Sequence, residues 1–166
     1  MILGMSTSSF TLLHVLSSLI GIGSGIIVLF GLMNGKLLAR WNPLFLITTV
    51  LTSLTGFLFP VEHLLPSHKV GMLSLIVLAV AIAALYFFHL AGAWRRIYVI
   101  AALTALYLNC FVAVVQSFLK IPALKSMAPT QSEPPFLVAQ TLVLVLFVAA
   151  GIVAAKRFRN PTILPA

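Results

Sequence analysis

The chain has 166 residues, of which 61% are hydrophobic and 7% charged, where an ordinary soluble domain carries about 25% charged residues. Most of it therefore cannot face water. Its formal net charge of +8 has no soluble domain on which to form a basic patch, so a nucleic-acid partner is not expected; Lys and Arg flanking membrane helices account for the charge, and the bilayer is the expected partner.

Residues 1–9 contain no Lys or Arg. A secretory signal peptide needs a positive start and a short apolar stretch, whereas here the apolar run continues from Phe10 to about Met33 and reads as a retained first helix. A second apolar segment runs from Leu44 to about Pro60, with Pro43 placed to open it. The third is Val70 to Ala93, the fourth Ile97 to Leu119 and the fifth Phe136 to Ala155. A very short turn, Trp94–Arg96, joins the third and fourth. The loop Lys120–Pro135 holds Pro122, Pro129, Pro134 and Pro135, which predicts an extended or turn-rich course.

The expectation is a single all-α domain over residues 1–166, an integral membrane bundle of five transmembrane helices. If the short second segment does not span, four remain. Lys36, Arg40, Arg95, Arg96, Lys156, Arg157 and Arg159 fall on one side, and Lys69, Lys120 and Lys125 on the other. The richer side should be cytoplasmic, which puts the N-terminus outside and the C-terminus inside. Trp41 and Trp94 would anchor helix ends at the inner boundary. The one cysteine, Cys110, sits in an apolar run, so intrachain dithiol chemistry is excluded.

Helical spacing separates the faces. In the first helix His14, Ser17, Ser18, Gly21, Ser24 and Gly25 share one side, and Leu16, Leu19, Ile26 and Phe30 the other. Ser17, Gly21 and Gly25 make a ridge that lets another helix come close, or a second copy of the chain. In the fourth helix Tyr98, Ala102, Ala105, Asn109, Ala113, Gln116 and Lys120 form a small, inward face; Ile100, Leu103, Phe111, Val114 and Phe118 form a bulky face expected to meet lipid. The second helix has stripes Thr48, Thr52, Thr55 and Thr49, Ser53, Gly56, and the fifth contributes Gln140, Gly151 and Ala154.

His14, Ser18, Asn109, Gln116 and Gln140 are the candidate ligand-binding residues: His14, Gln116 and Gln140 bring polar groups from three helices to similar depth in the outer half, with Ser18 beside them, and Asn109 falls near the bilayer centre, where its amide should bond to another helix or an ordered water. The bland alternative is hydrogen-bonded glue between helices, with Ser and Thr bonding back to their own helix. Haem b would need two histidines at similar depth; His14 lies about 6 Å and His89 about 28 Å below the outer boundary at 1.5 Å per residue, so those two do not share one. A quinone needs only an apolar slot with a His, Tyr or Gln. Glu62, His63 and His68 have donor types that suit zinc, but no HExxH spacing. No Asp or Glu lies within a predicted helix, which argues against antiport through a central carboxylate.

The stretch Leu12-Leu13-His14, the run Tyr107-Leu108-Asn109 and the loop Ala128-Pro129-Thr130-Gln131-Ser132-Glu133-Pro134-Pro135 resemble small, uncharacterised multi-pass inner-membrane proteins of bacteria. The resemblance implies an inner-membrane location and transfers no catalytic residue. The function expected is accessory, with an outer-side polar pocket for a small apolar or redox ligand such as lipid or quinone. The alternatives are a redox module carrying haem b or using quinone, and a small transporter subunit; a membrane-complex partner or homo-oligomer fits each.

Overall fold

The computed structural model describes residues 2, 4–59, 66–159 and 162–164. The helices are α1 (Thr7–Met33), α2 (Trp41–Gly56), α3 (Pro66–Ile82, continued by a π turn, Ala83–Phe87), α4 (Trp94–Lys120), α5 (Pro122–Met127) and α6 (Pro134–Arg157). Two three-residue strands, β1 (Lys36–Leu38) and β2 (Thr162–Leu164), pair in parallel with Lys36 opposite Thr162 and Leu38 opposite Leu164. Apart from that pair, the regular structure of the described residues is helical.

Among the described residues, four helices are long and apolar enough to cross a membrane: Thr7–Met33, His68–Phe87, Trp94–Lys120 and Pro134–Arg157. Helix α2 has 16 residues and rises about 24 Å, short of a hydrocarbon core of about 30 Å. Its packing nevertheless follows α1 along nearly the whole helix. His14 meets Thr55, Gly21 approaches Thr48 and Thr49, Gly25 approaches Phe45, and Gly31 approaches Leu38. Paired residue numbers that sum to about 69 at every level mark an antiparallel hairpin, and the contact of Phe10 with Phe59, ring centroids 5.2 Å apart, extends it past the end of α2.

The same test orders the rest. Ser53 bonds Ser74 at 3.1 Å and Gly71 approaches Phe57, so α2 and α3 are antiparallel. Tyr107 packs on Phe147, and Gly151 approaches Leu103, so α4 and α6 are antiparallel. Ser18 reaches Asn109 and Gly25 approaches Leu106, so α1 and α4 are too. Thus α1, α3 and α6 run one way, and α2 and α4 the other. Lys36, Arg40, Arg95, Arg96, Lys156, Arg157 and Arg159 consequently gather at one end of the bundle, with Lys69, Lys120, Lys125 and Glu133 at the other.

Helix α4 is the central element. Half of its apolar span is buried, against 6% of that of α6, whose outer side is a sheet of exposed leucine and valine. The main apolar core lies toward the basic end, where Val28 and Leu32 of α1, Phe45 of α2, Leu78 of α3 and Leu106 of α4 interlock. There the Tyr98 hydroxyl donates to Asn42 Oδ1, and Asn42 Nδ2 donates to the Leu38 carbonyl at 2.7 Å, tying α4 to the α1–α2 connection.

Three expectations about elements are corrected. The third helix ends at Phe87, not Ala93. The residues that follow form a tight turn in which His89, Leu90 and Gly92 have φ of 47°, 57° and 53°. Phe88 stacks flat on Trp94 at 3.7 Å across that turn, so the stacked rings close the chain before another helical turn forms, and His89 is exposed in the turn rather than helical. The proline-rich loop contains a helical turn and a half, α5, because Pro122 takes the first helical position after extended Ile121. Finally, Leu103 and Phe118 are buried rather than lipid-facing. Helix α6 covers that side of α4: Phe118 meets Phe136 edge to face at 5.4 Å, and Leu103 lies against Gly151.

Candidate functional site

The polar face of α1 is the backbone of the site. Ser17, Gly21, Ser24 and Gly25 are buried, and Leu16, Leu19, Ile26 and Phe30 are exposed, as their spacing predicts. Two hydrogen-bonded groups extend from this face into neighbouring helices, and a third lies beyond it.

The first joins α1 to α2. His14 Nδ1 and Thr55 Oγ1 are 2.8 Å apart. Thr55 also donates to the Leu51 carbonyl at 2.7 Å, so its hydroxyl proton is committed to its own helix and the imidazole supplies the N–H of the interhelical bond. Phe59 meets the His14 ring edge to face at 5.3 Å. His14 is therefore held on two sides by α2 and the residues that follow it.

The second joins α1 to α4. Ser18 Oγ donates to Asn109 Oδ1 at 3.0 Å. The other half of that amide has no such satisfaction. Asn109 is 8% exposed and Thr49 1% exposed, yet Asn109 Nδ2 and Thr49 Oγ1 make no hydrogen bond. Both border one niche, created by the missing side chain of Gly21. A Cβ there would lie 3.1 Å from Thr49 Oγ1, 3.2 Å from Asn109 Nδ2 and 3.3 Å from Thr48 Oγ1. Thr48, Thr52 and Thr55 each bond back to a carbonyl four residues earlier; Thr49 does not. An unpaired buried donor costs about 1–3 kcal/mol, and contacts of 3.1–3.3 Å leave no room even for a methyl group at Gly21 unless a neighbour gives way.

The third lies between α4 and α6. Gln140 Nε2 donates to the Phe111 carbonyl at 3.2 Å, and Gln140 Oε1 is buried without a partner. Gln116 is exposed on α4. Of the five candidate residues, then, Ser18 and Asn109 come together, His14 and Gln140 sit in the seams to either side, and Gln116 faces outward.

Of the zinc candidates, Glu62 and His63 lie outside the described residues. His68 is buried, with its ring 5.5 Å from that of Phe57. His14 is held by Thr55 and Phe59, whereas His68 packs on Phe57. No group of three His, Cys, Asp or Glu side chains comes together among the described residues.

Sequence reasoning placed Thr49 on a stripe but did not distinguish it from Thr48, and it passed over Asn42. The signal for Asn42 was present: an amide one residue before Pro43, in the first turn of a helix. An apolar groove of about 480 Å³ between α2 and α3, lined by Pro43, Leu46, Ile47, Val50, Ile82 and Tyr86 among others, opens on the side away from the polar niche.

No family model matches the chain, and no curated protein or solved structure is significantly similar to it.

Proposed function

We propose that the chain is an integral protein of a bacterial inner membrane that crosses it five times and serves as a non-catalytic, accessory component. In this reading α2 completes a fifth crossing with the aid of Phe57–Phe59. Its packing against α1 as far as Phe10 supports that, since a helix matched to a spanning neighbour along its length shares its depth. The basic end faces the cytoplasm, because it holds seven Lys and Arg against three at the other end. A cysteine replacing Ser126, in exposed α5, is expected to react with a membrane-impermeant thiol reagent in intact cells; reaction only after the membrane is opened would reverse the orientation.

The accessory role centres on the niche between α1, α2 and α4, which in this reading takes the polar head of a small apolar ligand. The observation that carries it is the pair of buried, unpartnered groups, Asn109 Nδ2 and Thr49 Oγ1, both bordering the space left by Gly21. An amide N–H and a hydroxyl suit a carbonyl acceptor, the group that lipid esters and quinones share. Native mass spectrometry of protein released from detergent should show a bound small molecule that Asn109→Leu and Gly21→Ser each abolish while the bundle stays folded. A ligand-free wild-type protein would leave only an ordered water for the niche and would overturn the reading.

A further inference from the structure

Helices α2 and α3 are joined over the half farther from the basic end, where Ser53 bonds Ser74 at 3.1 Å and Gly71 approaches Phe57. Continuing that antiparallel register sets Ile82 across from Leu46 and Tyr86 across from Asn42. At that level the apolar groove of about 480 Å³ stands between the two helices. Leu46, 2% exposed, is its floor, and Ile47, Leu51 and Leu54 line its open flank and are exposed.

The dimensions restrict what can lie there. From Pro43 to Leu54 the groove runs about 16 Å along α2, close to half of a hydrocarbon core of about 30 Å. Its volume over that length gives a mean cross-section of about 30 Å². An α-helix with its side chains is at least about 10 Å across and needs about 80 Å². The groove therefore fits one slender chain of single-leaflet length and is too narrow to seat a helix.

One end of the groove is polar. Tyr86 lies one residue from the end of the apolar span His68–Phe87, so its phenol stands at the boundary of the hydrocarbon core, where an acyl chain ends in its ester. A phenol O–H donates well to a carbonyl, and tyrosine is enriched at that depth. Tyr86 also belongs to the π turn Ala83–Phe87, a departure from the regular helical ladder of a kind that recurs at functional sites.

We infer that this groove seats one phospholipid acyl chain from the leaflet at the basic end, with the Tyr86 hydroxyl donating to its ester carbonyl. The inference rests on the five-crossing reading, which puts α2 in the bilayer, and is independent of the niche at Gly21. Ordinary solvation by lipid would treat the exposed residues of α2 and α6 alike.

The test uses the full chain in phosphatidylcholine vesicles that hold a trace of phosphatidylcholine with a diazirine in its acyl chain. After irradiation, adducts are mapped by mass spectrometry. Adducts on Ile47 and Leu51 should exceed those on Val145 and Val148 of α6 several-fold, although all four are exposed. Val50→Trp, which fills the groove, should bring the α2 adducts down to the α6 level, and Ile152→Trp on α6 should leave them unchanged; labelling of α2 unmoved by Val50→Trp would overturn the site. Tyr86→Phe keeps the shape and loses the donor. A hydrogen bond of the size measured between membrane helices corresponds to about threefold, so adducts in the groove should fall by about that factor; unchanged labelling would overturn phospholipid as the occupant. Should Val50→Trp fail to fold, the wild-type protein still decides. Adducts on α2 no denser than on α6 would overturn the proposal and leave the fifth crossing standing, whereas no adducts on α2 at all would overturn both.

Discussion

Alanine at Gly25 and alanine at Gly23 are the same substitution two residues apart on one helix, and the structure predicts opposite outcomes. A Cβ at Gly25 would lie 2.4 Å from Leu106 Cδ1 and 2.9 Å from two carbons of the Phe45 ring. Carbon atoms prefer about 3.5–4.0 Å, so the neighbours must retreat by roughly 1 Å. Neither has room, because Leu106 and Phe45 are each 1% exposed. Such overpacking costs about 1–3 kcal/mol. A Cβ at Gly23 meets nothing within 4 Å, so that variant gains only the helical preference of alanine over glycine, up to about 1 kcal/mol. The propensity term is common to both and cancels in their difference, which leaves the overpacking cost itself. Gly25→Ala should therefore unfold in detergent at a lower temperature than Gly23→Ala, by roughly 5 °C if soluble-protein scaling holds. Equal midpoints would mean that α1 and α4 separate freely at this level, and the close approach argued for the Ser17–Gly21–Gly25 ridge would be refuted.

His14→Ala should lower stability by about 1–2 kcal/mol, from one interhelical hydrogen bond of about 0.6 kcal/mol and one edge-to-face ring contact of about 0.5–1.5 kcal/mol; thermal unfolding that is unchanged would remove His14 from the α1–α2 contact. The carboxylate of Glu133 is partly desolvated, which alone would raise its pKa, but bonds from the Thr130 hydroxyl and from the Thr130 and Ser132 amides outweigh this and hold it below the usual carboxylate range. Since the folded value is depressed, its contribution to the loop between α5 and α6 is present above the ordinary carboxylate pKa and is lost as pH falls through the lower, folded value. Amide exchange at Thr130 and Ser132 should be slow at pH 6 and accelerate, after correction for intrinsic rates, only as pH falls below the ordinary carboxylate range; Glu133→Gln should show fast exchange throughout, and protection that survives in the variant would refute the role given to the charge.

The face of α1 was legible from its sequence because serine and glycine have no reason to face lipid when leucine is available on the other side. Leu103 and Phe118 of α4 were not, for a related reason. Lipid tails are as apolar as a leucine side chain, so a bulky face meets lipid or another helix equally well, and only the placement of α6 decides. The end of α3 was hidden because it depends on Phe88 and Trp94 stacking across a turn, a contact that hydropathy does not register. Within the candidate site, the bond from Ser18 to Asn109 was foreshadowed by the inward face of each residue and by the cost of leaving a buried amide unpaired. The different states of Thr48 and Thr49 were not, since adjacent identical residues differ only in whether their hydroxyl turns back to the helix or toward the space at Gly21.

The parallel pairing of β1 with β2 bears on how the chain assembles during synthesis. Lys36 and Thr162 are opposite each other, yet the ribosome makes them far apart in time. The α1–α2 hairpin, joined through β1, can enter the bilayer early, but its connection stays without its partner strand until α3, α4 and α6 have all emerged. This pairing is thus late to become available, and it bridges the first helical connection to the segment after α6. Closure of the bundle is thereby reported at a single place: protection of the Ala39 amide, which donates to the Leu164 carbonyl at 3.2 Å, marks a chain whose helices have been delivered in full.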